Sequence, residues 1–231
     1  MLVLLTGVGQ RGQVGESVAR GFAASGASVI LVDRSPENVR ARADELIADG
    51  YRAAGYACDL ASQSDVERLA SQVRSDHGAN LDALVLMAGG FAMSGPLDTS
   101  SVDEWERQHT INLRTAYLTV RSMLPMVRSA KGAVVFFASA VALPGAKTAG
   151  MAAYATAKAG VVALMQSVAQ QERDTGVRVN AIAPTTIRTT SNVQAMGEHA
   201  RYVEREAVAG VVQFLCSPGA ASISGQLIRL E

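Results

Sequence analysis

Tyr154 and Lys158 stand four residues apart at the start of an alanine-rich stretch. On a helix that spacing places both side chains on one face, so an ammonium can lie beside a phenol and favour its ionised form. A free phenol, with a pKa of about 10, is a poor base at neutral pH; a fixed cation nearby lowers it by roughly one to three units. The expectation is a tyrosine of depressed pKa that gives and takes a proton. The competing reading is one core residue and one solvated residue that merely share a helix face, and the rest of the chain has to decide between the two.

The hydropathy pattern predicts the elements that position this pair. Short apolar runs bounded by turn residues, at 2–6, 28–33, 51–58, 83–88, 133–139, 177–183 and 226–230, alternate with segments of helical period at 14–25, 36–49, 63–76, 102–128, 151–174 and 202–216. The alternation predicts an α/β fold: a single doubly wound, Rossmann-type domain over 1–231, with a parallel sheet of about seven strands and helices on both faces. No repeat, linker or low-complexity stretch divides it. Sheets of this kind take ligands in the crevice where the carboxyl ends of the strands open, so the residues that follow each run are the candidate site.

After the first run comes Thr6-Gly7-Val8-Gly9-Gln10-Arg11-Gly12-Gln13-Val14-Gly15. The backbone of such a turn can approach a pyrophosphate, and the helix after it aims its N-terminal amides at the charge. Asp33 closes the second run, where a carboxylate can accept hydrogen bonds from both hydroxyls of an adenosine ribose. Together they predict a dinucleotide site. Asp33 repels the 2′-phosphate of NADP, whereas Arg34 beside it and Arg11 in the loop could receive that phosphate. NAD is the expected cofactor, with NADP the alternative.

In the order and approximate spacing of Thr6-Gly7 with Gly12 and Gly15, Asp33, Asp59-Leu60, Ala88-Gly89, Asn112-Leu113, Ser139, Tyr154 with Lys158, and the stretch from Asn180 to Pro184, the sequence resembles the short-chain dehydrogenase/reductase family over almost its whole length. The resemblance implies an oxidoreductase that interconverts a secondary alcohol and a ketone by hydride transfer, with Tyr154 as general acid/base and Ser139 hydrogen-bonding the reacting oxygen. It implies that Lys158 depresses the tyrosine pKa and holds the nicotinamide ribose hydroxyls, and that Asn112 anchors a water linking Lys158 to solvent. It further implies cofactor contacts at Gly7, Gln10, Arg11, Gly12, Gln13, Val14, Asp33, Arg34, Asp59, Leu60, Ala88, Gly89, Tyr154, Lys158, Pro184, Ile187 and Thr189. Asp59 would meet the adenine edge, Ala88 and Gly89 the adenosine side, and Ile187 and Thr189 the carboxamide. Taken singly, Ser139 could cap a strand and Asn112 could bond helix backbone.

The chain departs from the family's pattern in the glycine turn. Counted back from a helix whose inner face is Val14, Val18 and Phe22, Gly15 takes the last glycine position and Gln13 the middle one, which leaves two extra residues in the loop. Gly7, Gly9 and Gly12 also spell G-x-G-x-x-G, but the helix register decides, so the loop should bulge and Gln13 should crowd or contact the phosphates. Leu86 and Met87 stand where the family commonly has two asparagines, and Thr185 where a glycine usually follows the proline.

Acidic and basic residues balance at 21 each without long runs of one sign. That argues against nucleic acid or a membrane as partner and for a small-molecule alcohol or ketone as substrate. Cys58 and Cys216 read as free buried thiols in a reducing compartment rather than as a disulfide. The apolar start reads as a strand and not a leader, and the apolar stretch 133–146 is too short to span a bilayer, so the expected location is the cytoplasm. Three scattered histidines show no metal-ligand spacing, and no metal is expected. The substrate pocket should be walled by 91–93, 140–143, Met151, Thr185 and Thr186 under a short lid at about 190–201, with His199 a candidate contact. Ala116, Val120, Met123, Ala155, Ala159, Val162 and Met165 offer more apolar helix surface than one sheet face can cover, which suggests a homodimer or homotetramer. Two rivals remain: an NADP-dependent 3-oxoacyl thioester (acyl-carrier-protein) reductase, and a non-catalytic nucleotide-sensing protein, which would need none of Tyr154, Lys158, Ser139 and Asn112.

Overall fold

In a computed structural model that describes residues 1–231, the apolar runs form the strands β1 (Leu2–Thr6), β2 (Ser28–Asp33), β3 (Ala53–Ala57), β4 (Ala83–Leu86), β5 (Ala133–Phe137), β6 (Arg178–Pro184) and β7 (Leu227–Leu230). All pair in parallel, in the order β3-β2-β1-β4-β5-β6-β7. Strands covered on both faces must be apolar on both faces. Val3, Leu4 and Leu5 of β1 and Ala83, Leu84 and Val85 of β4 are accordingly inaccessible to solvent. The helices are α1 (Val14–Ala24), α2 (Pro36–Ala48), α3 (Gln63–His77), α4 (Val102–His109), α5 (Thr115–Ala130), α6 (Ala152–Gln171), α7 (Thr190–Met196) and α8 (Arg205–Cys216). One face of the sheet is covered by α1, α2 and α8, the other by α3, α5 and α6. Ser35, Ser62, Ser101 and Thr189 start α2, α3, α4 and α7 by accepting a backbone N–H three residues on.

The sheet order reverses at β1, which is flanked by β2 and β4, and this opens the crevice at the carboxyl ends of those strands. Thr6 secures the opening. Its Oγ1 accepts from Met87 N (3.0 Å) and Ala88 N (3.1 Å), joining the ends of β1 and β4. Leu86, which replaces a family asparagine, lies in the core.

Three expectations need correction. The predicted helix 102–128 is two helices joined by a π-helical turn, Thr110–Arg114, at the buried Asn112. The Asn112 amide donates to the Gln108 carbonyl within this widened stretch, and wide turns concentrate at functional sites. The predicted lid contains the short helix α7, and the next helix starts at Arg205 instead of near 202. Of the apolar positions read as an oligomer face, Ala116, Val120, Met123 and Met165 are buried in the chain's own core, whereas Ala159 is exposed. Helical period marks which residues are apolar; it does not say which of them the chain itself covers.

Glu172 ties α5 to the end of α6. Its buried carboxylate accepts from Arg128 Nε (2.9 Å) and Nη2 (2.6 Å), Thr175 Oγ1 (2.9 Å) and Gln171 Nε2 (2.8 Å). The Arg128 hydrogen bonds above all hold the carboxyl down, from 4.5 to about 2. A depressed carboxylate stabilises the fold above its unfolded pKa and loses that contribution as pH falls through the folded one. Glu172→Gln should therefore cost about 1–3 kcal/mol at neutral pH, the lower part of the range because Arg128 is half exposed. The difference from wild type should shrink as pH drops from 4.5 towards 2. Urea unfolding at pH 7 and pH 3 measures both, and a gap that ignores pH would remove the charge from the account.

Candidate active site

The alanines at the start of α6 favour helix and leave Tyr154 and Lys158 as the large side chains of its first turns. The two share a face: Lys158 Nζ lies 5.8 Å from the centroid of the Tyr154 ring. The ring packs edge-on against Phe91, with centroids 5.1 Å apart. Lys158 is 6% exposed, and its ammonium donates to the Phe137 carbonyl at the end of β5 (2.9 Å).

The electrostatics differ from expectation. Burial raises the Tyr154 phenol above its ordinary value, and the hydrogen bond with Ser139 pulls the other way. Burial also brings Lys158 down, to about 8. The enclosure that brings the ammonium near the phenol desolvates both, and the Lys158 hydrogen bond goes to a carbonyl instead of the phenol oxygen.

Ser139 follows β5 in extended conformation and starts a short 3-10 turn, Ala140–Ala142. Asn112, 1% exposed, clamps the loop after β4: Oδ1 accepts from Gly90 N (3.2 Å), and Nδ2 donates to the carbonyl oxygens of Gly90 (2.9 Å) and Gln108 (3.0 Å). Its side chain is thus engaged by the Gly90 and Gln108 backbone. Gln108, fully buried, joins Asn112 to Glu104. The sequence reading missed it, although its spacing of four from Asn112 was a signal.

Helix α1 starts at Val14, as the register predicts, and Gln13 leaves its N-terminus without a side-chain cap. Gly15 packs on the turn itself, since a Cβ there would lie 2.7 Å from the Gly7 carbonyl oxygen. The long loop behaves differently from expectation. Arg11 pairs with Glu45 of α2, a carboxylate it shares with Arg42, and so turns away from the crevice. Gln13 Nε2 donates to Ser191 Oγ (2.8 Å) instead of crowding the phosphate position. The Gly12 carbonyl accepts from Thr190 N (3.0 Å), and a side chain at Gly12, whose φ is +72°, would collide with the Thr190 hydroxyl. The two extra residues give the loop the reach to dock on the start of α7.

The remaining candidates line the crevice or support it. Asp33 ends β2 with Oδ1 accepting from Ser35 N (3.1 Å) and Gly9 against its carboxylate; Arg34 and Gln10 are exposed. Asp59 is exposed and Leu60 buried. Gly89 lies beside Asn112 and Lys158, where a Cβ would fill the space. Pro184 ends β6, Ile187 bridges to Val203, and the Thr189 hydroxyl caps α7. An uncapped helix N-terminus, a carboxylate at the end of β2 and a buried lysine beside a bare backbone are groups that fit a nicotinamide dinucleotide.

Next to Tyr154 and Ser139 opens a cavity of about 730 Å³. Phe91, Ala140, Val141, Leu143, Met151, Thr185 and Thr186 wall it as expected. The wall also includes Asn192, Ala195 and Met196 of the expected lid, and 144–147 and Arg229, which the sequence reading missed; Arg229 reaches the cavity because β7 lies beside β6. Ala92, Met93, Ala142 and the exposed His199 stand outside it.

The family model described as Enoyl-(Acyl carrier protein) reductase matches residues 7–230. A D-threitol dehydrogenase of Mycolicibacterium smegmatis is 30% identical over 224 residues, covering 92% of this chain and 85% of its own. The solved structure of a short-chain type dehydrogenase/reductase from Mycobacterium ulcerans aligns with a TM-score of 0.90 at 31% identity, over 99% of this chain and 87% of that one. A gluconate 5-dehydrogenase from Burkholderia cenocepacia, solved with NADP and tartrate, shares the fold with a TM-score of 0.91 at 22% identity, over 100% of this chain and 93% of its own.

Proposed function

The chain belongs to the short-chain dehydrogenase/reductase family, and from that premise we propose that it interconverts a secondary alcohol and a ketone, with Tyr154 moving the proton. The observation that carries this reading is the meeting of the Tyr154 and Ser139 hydroxyls in the cavity wall, with Lys158 Nζ behind the phenol ring. A bound nicotinamide dinucleotide supplies the hydride donor or acceptor. Ser139 donates a hydrogen bond to the reacting oxygen and holds it in line with Tyr154. A phenol raised by burial is protonated at neutral pH, so Tyr154 stands ready to give a proton to the oxygen of a ketone under reduction. In the oxidising direction it takes that proton back.

Asp33, Gly7, Gly89, Lys158, Pro184 and Ile187 are the residues we assign to hold the dinucleotide. NAD is favoured because Asp33 occupies the ribose-reading position, and because Arg11, one of two possible receivers of a 2′-phosphate, is engaged by Glu45. Free buried thiols at Cys58 and Cys216 accord with a cytoplasmic location. We read the assembly as a homodimer or homotetramer through the exposed Tyr117 and Ala159; a sedimenting species of 24.1 kDa alone would remove that reading.

Nicotinamide absorbance followed with NADH and NADPH against ketones of hydroxysteroids and sugar alcohols and against 3-oxoacyl esters tests the proposal. Turnover should appear and be faster with NADH. Tight dinucleotide binding without turnover on any ketone would favour the sensing alternative.

A further inference from the structure

We propose that the substrate carries an anionic group, a carboxylate or phosphate, received by Lys147 and Arg229 in the wall of the cavity that Tyr154 and Ser139 also line. The inference rests on the reading of Tyr154 and Ser139 as the reacting end of the same cavity.

Lys147 and Arg229 are the charged residues of the cavity wall other than the catalytic pair's own end; both are cations, and no carboxylate lines the space with them. The chain as a whole has 21 basic and 21 acidic residues, so this excess is local. Phe91, Val141, Leu143, Met151 and Met196 make the rest of the wall largely apolar. In a cleft with such walls field lines concentrate, and a surplus of one sign selects ligands of the other. A neutral alcohol would make no use of that surplus.

The other polar side chains in the wall, those of Ser139, Tyr154, Thr185, Thr186 and Asn192, carry no acidic group. Ser139 and Tyr154 serve the reacting oxygen. Asn192 is held by the lid, its Nδ2 donating to the Ile187 carbonyl (2.9 Å). Lys147, on the loop that precedes α6, is exposed and enters none of the chain's ion pairs. Arg229, on the edge strand β7, donates from Nη2 to Glu231 Oε2 (2.6 Å), but both side chains are about half exposed, and the guanidinium keeps further N–H donors. The ligand that suits this wall joins a carbonyl or carbinol to an anion through an apolar body.

Matched pairs of ketones test it: an oxo-carboxylate against its methyl ester, and an oxo-phosphate against its dephosphorylated form. In wild type, kcat/KM should favour the anionic member of at least one pair by about 10- to 100-fold, the size expected of charge-assisted hydrogen bonds, and added salt should shrink the preference. The carboxylate and phosphate arms identify which anion is read. Lys147→Gln with Arg229→Gln should bring the ratio close to one, and Glu231→Gln, which frees Arg229, should raise it. A wild-type ratio near one in both pairs, or a preference that survives in the double variant, overturns the proposal. If neither member of a pair turns over, calorimetric binding of the same oxo-carboxylate and oxo-phosphate decides. Binding that the double variant loses upholds the anion site while the redox reading fails; absence of binding overturns the anion site as well.

Discussion

Tyr154→Phe should lower turnover by about 10²- to 10⁴-fold, the usual contribution of a positioned general acid or base, while dinucleotide affinity stays near that of wild type. The expectation follows from what the substitution removes. The ring and its edge-on packing against Phe91 at 5.1 Å remain, so the cavity wall keeps its shape. Only the hydroxyl whose pKa the neighbouring Ser139 lowers is lost. Single-turnover kinetics monitored by nicotinamide absorbance, beside a fluorescence titration of the dinucleotide, separate the two effects. A variant with undiminished turnover would move the proton transfer to another group, Ser139 among them, and a variant that no longer bound dinucleotide would make Tyr154 a binding residue first.

The fold was legible in the sequence because parallel strands must be apolar on both faces, and helices between them must show a 3.6-residue period; these are local properties of the chain. The helix that holds Tyr154 and Lys158, and the start of α1 at Val14, were legible for the same reason. The direction of the Tyr154 shift was not. It depends on how completely residues remote in sequence, such as Phe91, enclose the phenol, and pair spacing carries no information about enclosure. The docking of Gln13 on Ser191 bridges 178 residues, and the pairing of Arg11 with Glu45 crosses from a loop to the next helix but one strand away. Both are consequences of a lengthened loop whose extra residues could be counted but whose destination could not. Arg229 lay in the expected strand 226–230, but only the neighbouring of β6 and β7 brings it to the cavity.

Lys158→Met should abolish most turnover and yet give a protein more stable than wild type at neutral pH. Lys158 is nearly inaccessible, has the Phe137 carbonyl as its hydrogen-bond partner, and is brought from 10.5 to about 8 by burial alone. A lysine whose folded pKa lies below its unfolded one opposes folding: the unfolded chain binds the proton more readily, so stability rises with pH between 8 and 10.5, and below 8 the whole penalty is present. A shift of this size corresponds to roughly 3 kcal/mol, against which the lost bond to the Phe137 carbonyl subtracts about 1–2 kcal/mol. Methionine, unbranched and of similar length, can fill the slot, so a net gain of about 1–2 kcal/mol is expected at pH 7. The gain should diminish as pH rises from 8 towards 10.5, because the wild type sheds its buried charge there. Urea unfolding of both proteins at pH 7 and pH 9.5 reads the difference, and the same preparations give the turnover. An inactive variant of raised stability would mean that the fold retains an unfavourable ammonium for the sake of its chemistry, whereas a variant less stable than wild type at pH 7 would make Lys158 part of the scaffold through its bond to β5.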